Sequence, residues 1–170
     1  MRNLEINARV EALAPLRSRL RALSGAILHA KLQQTDWYFR VPKGRLKLRV
    51  VGGERIGELI AYVRADTKSA RTSEFQRMPV ADATGTRRLL DRMLGTRRCV
   101  RKRRDVWLYR NARIHLDTVE GLGTFVEIEV VVTTGMAQAR ALMSELRGAL
   151  GIREKDLFAG SYSDMTGERE

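Results

Sequence analysis

Glu127 and Glu129 stand two residues apart in the segment Phe125 to Val132, where apolar residues take the alternate positions. In an extended chain that spacing puts both carboxylates on one face, roughly 7 Å apart. Two bare carboxylates so close repel each other unless a cation sits between them. Oxygen ligands of this kind suit Mg²⁺ or Mn²⁺, which complete their shells with water and phosphate oxygens. Asp117 or Glu5, brought alongside by a neighbouring strand, could join the pair. A second group of residues answers to the anion such a metal would share. Arg45, Lys47, Arg49, Arg64, Lys102 and Arg104 all lie on the polar side of alternating runs, and guanidinium and ammonium groups grip phosphate oxygens. Carboxylates on some strands and cations on others describe a site for phosphoryl transfer.

Other residues of chemical interest are weaker candidates. His115 shares its parity with Arg113 and Asp117 and could serve as a base. A histidine among charges can equally be structural, bonded to Asp117 or to the backbone, and that role is slightly favoured. Trp37 with Phe39, or Tyr38 by itself, could stack on a base, since adjacent strand residues point to opposite faces; core packing is favoured for them. His29 carries no site assignment, and the lone Cys99 reads as a small buried thiol.

These groups need strands to hold them. Asn3 to Val10 alternates Leu4, Ile6, Ala8 and Val10 with Glu5, Asn7 and Arg9, the pattern of a half-buried strand. The same alternation recurs around Trp37–Val41, Arg45–Val50, Glu58–Arg64, Ser73–Val80, Val100–Val106, Arg113–Asp117 and Phe125–Val132. About eight short strands at these spacings predict an antiparallel sheet or barrel. Helical stripes run through Leu13, Leu16, Leu20 and Leu23, through Leu89, Leu90, Met93 and Leu94, and through Ala139, Leu142, Met143, Leu146 and Leu150; packed outside, they would cover the apolar strand faces. Residues 66–72 and 81–86 read as loops. The chain beyond Tyr162 reads as frayed, giving one domain over residues 1–165 and a frayed tail over residues 166–170.

Composition limits the partners. Of 170 residues 44% are hydrophobic and 31% charged, with three prolines, which excludes disordered, collagen-like and membrane classes. No apolar run spans a bilayer and the N-terminus lacks the apolar core of a signal peptide, so a cytoplasmic location is expected. Thirty-two Lys and Arg against twenty Asp and Glu give +12 and a pI near 10.8, which requires an anionic partner. Aromatics are only 6% and the cations alternate toward one face, which argues against a nucleic-acid groove lined with stacking rings.

The segments Asn3–Arg9, Thr35–Arg49, Val100–Arg104, Arg113–Asp117, Val119–Glu129 and Ser161–Asp164 together resemble, in order, the CYTH superfamily of triphosphate-tunnel metalloenzymes, and within it the class IV adenylyl cyclase-like branch. Residues 41–49 and 121–129 are the specific matches. The resemblance implies an α+β, mostly β fold: a closed eight-stranded antiparallel barrel with helices outside, whose tunnel binds a triphosphate and one or two Mg²⁺ or Mn²⁺ ions. It implies phosphate contacts from Arg9, Lys47, Arg49, Arg64, Lys102, Arg104 and Arg113, with Arg101 and Arg103 competing with Lys102 for that register. It implies metal ligation by Glu5, Asp117, Glu127 and Glu129, with Glu127, Glu129 and His115 nearest the chemistry. One feature departs from the pattern: the usual pair of glutamates and lysine at the N-terminus stands here as Glu5, Asn7 and Arg9, which points to a weakened or lost metal position.

Two reactions fit such a tunnel, cyclisation of ATP to cyclic AMP and pyrophosphate, or hydrolysis of tripolyphosphate or of a nucleoside or thiamine triphosphate. A polyphosphate or nucleotide binder without turnover and a basic nucleic-acid binder are the alternatives from other classes. ATP or tripolyphosphate is the expected partner, no membrane is expected, and a homodimer is compatible with the helical stripes.

Overall fold

The computed structural model describes residues 2–64 and 67–165, with the side chains of Arg2 and Arg64 outside that set. Its strands are β1 (Arg2–Val10), β2 (Ile27–Phe39), β3 (Arg45–Val51), β4 (Gly57–Arg64), β5 (Arg71–Val80), β6 (Thr96–Tyr109), β7 (Ala112–Val119) and β8 (Gly123–Val131). They close into one barrel in the order β1-β5-β4-β3-β2-β6-β7-β8, antiparallel at every pairing. This is the mostly β fold with external helices that the alternating runs predict. Among the described residues no helix is long and apolar enough to cross a membrane.

Four expectations need correction. β2 starts at Ile27, ten residues before the expected Trp37, because its inward face passes from Ala30 and Leu32 to Gln34 and Asp36 and so loses the apolar alternation. The second helix, α2 (Ala83–Leu94), begins inside the segment read as a loop. The Asp82 side chain caps it by accepting from the Gly85 amide at 3.1 Å, a start signal that Thr84 and Gly85 obscure in the sequence. Cys99 is exposed, since its parity puts it on the outer wall of β6, opposite Trp37 of β2. The chain past Tyr162 forms the turn α4 (Tyr162–Met165), with Tyr162 and Ser163 buried; Asp66 and residues 166–170 lie outside the described residues.

The helices cover the apolar faces in two places. Leu16 and Leu20 of α1 (Ala14–Ala22) and Leu142, Leu146 and Leu150 of α3 (Met136–Leu150) pack over Ile6, Ile114, Val126 and Ile128 of β1, β7 and β8. Leu90 and Leu94 of α2 pack over Phe39 and Leu48 of β2 and β3. A third cluster lies at one end of the barrel, where Tyr38, Val100, Val119 and Phe125 meet Tyr162, Phe158 and Leu122. The Phe125 and Tyr162 ring centroids are 5.0 Å apart, and together these groups make a floor.

Leu146 is fully buried between α3 and the barrel, so Leu146→Ala should lower stability by about 2–5 kcal/mol. Urea unfolding followed by circular dichroism measures this, and a loss below about 1 kcal/mol would mean that α3 does not bear on the barrel as described.

Candidate active site

Above that floor the inward side chains leave a cavity of about 430 Å³, with Ser161 and Tyr162 at its base and the exposed His29 and Arg77 at its opening. Register decides who enters it. On β6, Lys102 and Arg104 point inward and are buried, while Arg101 and Arg103 are exposed outside. Lys102 therefore takes the register in which it competed with its neighbours. Lys47 and Arg49 of β3 join these two on one wall.

The cationic wall contains a carboxylate that the alternation did not single out. Asp36 of β2 is fully buried, receives Nε and Nη2 of Arg49 at 2.7 and 2.8 Å, and lies 3.1 Å from Lys47 Nζ and 3.4 Å from Lys102 Nζ. Burial opposes its ionised form, yet the charges of Arg49, Lys47 and Lys102 outweigh that penalty and hold its pKa well below the ordinary value. The lysines move the other way. Burial, with the neighbouring Arg49, brings Lys47 down to about 7, and burial with Arg104 brings Lys102 down to about 8. Asp36 is missed in the sequence because it directly precedes the aromatic run Trp37-Tyr38-Phe39 in a stretch without clear alternation.

The adjoining wall on β7 and β8 is acidic. His115 of β7 and Glu127 and Glu129 of β8 offer ligand atoms that all lie within 4.8 Å of one another. His115 Nδ1 is 3.1 Å from Glu127 Oε2, so its partner is Glu127 and not the expected Asp117. Arg104 Nη2 donates to the same Oε2 at 2.8 Å, and Arg113 Nε donates to Glu129 Oε2 at 3.1 Å. In both glutamates Oε1 has no hydrogen bond among the described residues. Burial would raise the Glu127 pKa, but Arg104 and His115 hold it well below the ordinary value, so the carboxylate is ionised. Glu5 of β1 also lines the cavity, opposite Glu129 in register, and lies 3.3 Å from Arg71 Nε. Arg71 is buried and its role is not visible in the sequence, where it sits at the edge of a segment read as loop.

Not every candidate arrives in the cavity. Asp117 is fully buried behind Arg104, which donates Nε and Nη2 to its two oxygens at 2.7 and 2.6 Å, while Tyr162 Oη donates at 2.8 Å. It orients Arg104 and does not line the cavity. Arg9 is exposed beside the floor, with its guanidinium 5.4 Å from the Phe125 ring centre and donating to the Leu122 carbonyl. Arg64 has its side chain outside the described residues. Asn7 is buried opposite Glu127, and its amide nitrogen donates to the Gly160 carbonyl at 3.4 Å. Tyr38 faces inward, while Trp37 and Phe39 pack outside under α2.

The whole arrangement can bind an anion between two walls, the cations gripping oxygens and the acidic trio facing a divalent ion. The profile of the CYTH domain matches residues 1–162. No functionally curated protein matches the chain. Among solved structures, the PH1012 protein of Pyrococcus horikoshii superposes with a TM-score of 0.86 at 23% identity, covering 96% of this chain and 98% of its own. A conserved protein of Pyrococcus furiosus gives 0.85 at 22% identity, covering 96% and 99%. A Vibrio parahaemolyticus protein provisionally named an adenylate cyclase gives 0.74 at 18% identity, covering 95% of each chain. At these identities the likeness is one of fold.

The depressed lysines have a measurable consequence. At pH 8 the empty cavity holds Lys47, with its pKa of about 7, largely neutral, and a bound polyanion favours the protonated form. Tripolyphosphate binding at pH 8 should therefore take up protons and weaken as pH rises through 7 to 9. Calorimetry at pH 8 in Tris and in HEPES reads the uptake as a difference in heat, which Lys47→Met should reduce. Equal heats in the two buffers for the unmodified protein would overturn the assignment.

Proposed function

The chain belongs to the CYTH domain family, and from that premise we propose that it is a divalent-metal-dependent enzyme that takes ATP into the cavity and releases cyclic AMP and pyrophosphate. The observation that carries this reading is that the trio of His115, Glu127 and Glu129 lines the same cavity as Lys47, Arg49, Lys102 and Arg104. Leu32, Ile60, Phe75 and Val106 add an apolar lining to the same space. Inorganic tripolyphosphate has no use for such a lining, whereas a nucleoside does.

The donor set fits Mg²⁺ or Mn²⁺: two carboxylates, each with one oxygen fixed by an arginine and the other without a hydrogen bond among the described residues, beside an imidazole. Glu127 and Glu129 would hold the ion with His115, and when bound it withdraws charge from the phosphate chain as a Lewis acid. The protein's own groups do the rest. Lys47, Arg49 and Lys102 exchange Asp36 for phosphate oxygens and neutralise the charge that gathers on pyrophosphate as it leaves. Arg104, clamped in its plane by Asp117 through Nε and Nη2, would turn Nη1 to the chain. Arg113, tied to Glu129, would add positive charge from β7. The ribose 3′-hydroxyl would give up its proton to solvent as its oxygen bonds to the α-phosphorus, and the bond to the bridging oxygen would break with its electron pair leaving on pyrophosphate.

Asn7 tests how far the metal site has been reduced. Opposite Glu127, its amide offers a neutral oxygen where the family pattern has a carboxylate. Asn7→Glu should tighten Mn²⁺ binding by about tenfold and raise turnover; unchanged affinity and rate would end the idea of a weakened metal position. The activity itself is read by ³¹P NMR with ATP, and separately with tripolyphosphate, in Mg²⁺ and in Mn²⁺, with Glu127→Gln as the control. Cyclic AMP with pyrophosphate is the expected outcome. Orthophosphate as the product would replace the cyclase with a hydrolase, and unchanged substrate in every tube would leave a binder without turnover.

A further inference from the structure

The charge inside the cavity is close to balanced. Lys47, Arg49 and Lys102 surround Asp36, Arg104 holds Asp117 and Glu127, and Arg71, Arg77 and Arg113 pair with Glu5, Glu58 and Glu129. Those seven cations meet six carboxylates, so most of the +12 excess is carried elsewhere. The sorting of cations toward one interior, which argued in the sequence against a nucleic-acid surface, accounts for little of it.

Part of the excess is collected on the outer wall of β6 and β2. The run Arg101-Lys102-Arg103-Arg104 sends alternate members inward, so Arg101 and Arg103 stand exposed outside. In register Gln33 of β2 is opposite Arg103 and Thr35 is opposite Arg101, with Thr118 of β7 on the other flank of Arg103. Lys31 is exposed two residues from Gln33 on the same face. Neither Lys31 nor Arg103 has an ion-pair partner among the described residues. Of the nearby carboxylates, Asp105 is engaged by Arg17 at 2.7 Å, and Glu120 is 3.8 Å from Arg101 with both side chains more than 60% exposed. The exposed large apolar residues, Ile56, Val63, Met78, Leu89 and Met93 among them, lie on other elements or at the start of β2.

We propose that this wall, β6 from Cys99 to Arg103 with β2 from Lys31 to Thr35, binds nucleic acid through its phosphate backbone, at a site separate from the cavity. Two arginines on alternate strand positions offer bidentate forks to successive phosphates, and the interleaved amide and hydroxyls of Gln33, Thr35 and Thr118 suit phosphate and sugar oxygens. Protein interfaces and membrane surfaces need an apolar core or an inserted apolar face, which this stretch does not offer. Without an exposed aromatic on the wall, contact is to the backbone and independent of sequence. The proposal does not depend on the reaction assigned to the cavity.

The test uses the whole chain and a fluorescein-labelled 20-nucleotide single-stranded RNA of mixed sequence, read by anisotropy with the cavity filled by Mg²⁺ and excess tripolyphosphate. Three wall cations predict a slope of log K against log salt of about −2. K31E/R101E/R103E should weaken binding by more than about tenfold and flatten that slope, with the neutral set K31Q/R101Q/R103Q as the milder variant should the reversal not fold. R88E/R92E on α2 should leave binding intact. Undiminished RNA binding by a folded wall variant would overturn the proposal. So would displacement of the RNA by tripolyphosphate, which would place it in the cavity. Equal affinity for polyglutamate, or for phosphatidylserine vesicles, would replace nucleic acid with an acidic protein or a membrane as the partner.

Discussion

The structure rests on the neutralisation of charge inside a closed sheet. A barrel whose strands alternate apolar and ionic residues must turn one set inward, and here the apolar set faces the helices, so the ionic set lines a narrow, partly dry space. An unpaired charge there would cost several kcal/mol. The chain avoids this by interleaving opposite charges: Asp36 among Lys47, Arg49 and Lys102, and Arg104 between Asp117 and Glu127. Each pair fixes its members in orientation, and under the proposed function those members would exchange partners with an incoming anion.

This pairing also explains the lysine protonation states. A guanidinium keeps its charge on burial, and Arg49 and Arg104 do so beside their carboxylates. An ammonium yields its proton more readily, and Lys47 and Lys102, sharing one aspartate with Arg49, are the groups brought near neutrality. The cavity thus has a fixed frame of arginines and two adjustable lysines.

Much of the barrel is legible in the sequence because a strand face buried under helices has to be apolar at every second position; β1, β3, β4, β7 and β8 announce themselves in this way. The start of β2 does not, since its inward residues Gln34 and Asp36 are polar for the cavity's sake and erase the period that would mark it. The same cause hides Asp36 from the candidate list. Glu127, Glu129, Lys47, Arg49, Lys102 and Arg104 are found together because parity alone sends them inward. Asp117 and Arg9 share that parity and still miss the cavity, one shielded by Arg104 and Tyr162, the other beside the floor. Parity gives the face of a residue but not its height along the barrel, and the floor is made by residues distant in sequence, Phe125 and Tyr162.

That floor bears on the order of events. Phe125, Phe158 and Tyr162 pack against one another beside the base of the cavity, so a molecule that reaches Tyr162 meets a wall of rings. Under the proposed reaction two fragments would form in this space, and one lodged against Tyr162 would keep the cavity occupied after its sibling had gone. On that reading the deeper fragment would compete with the next substrate, and the release of its oxygens by Lys47 and Lys102 would bear on the pace of the cycle.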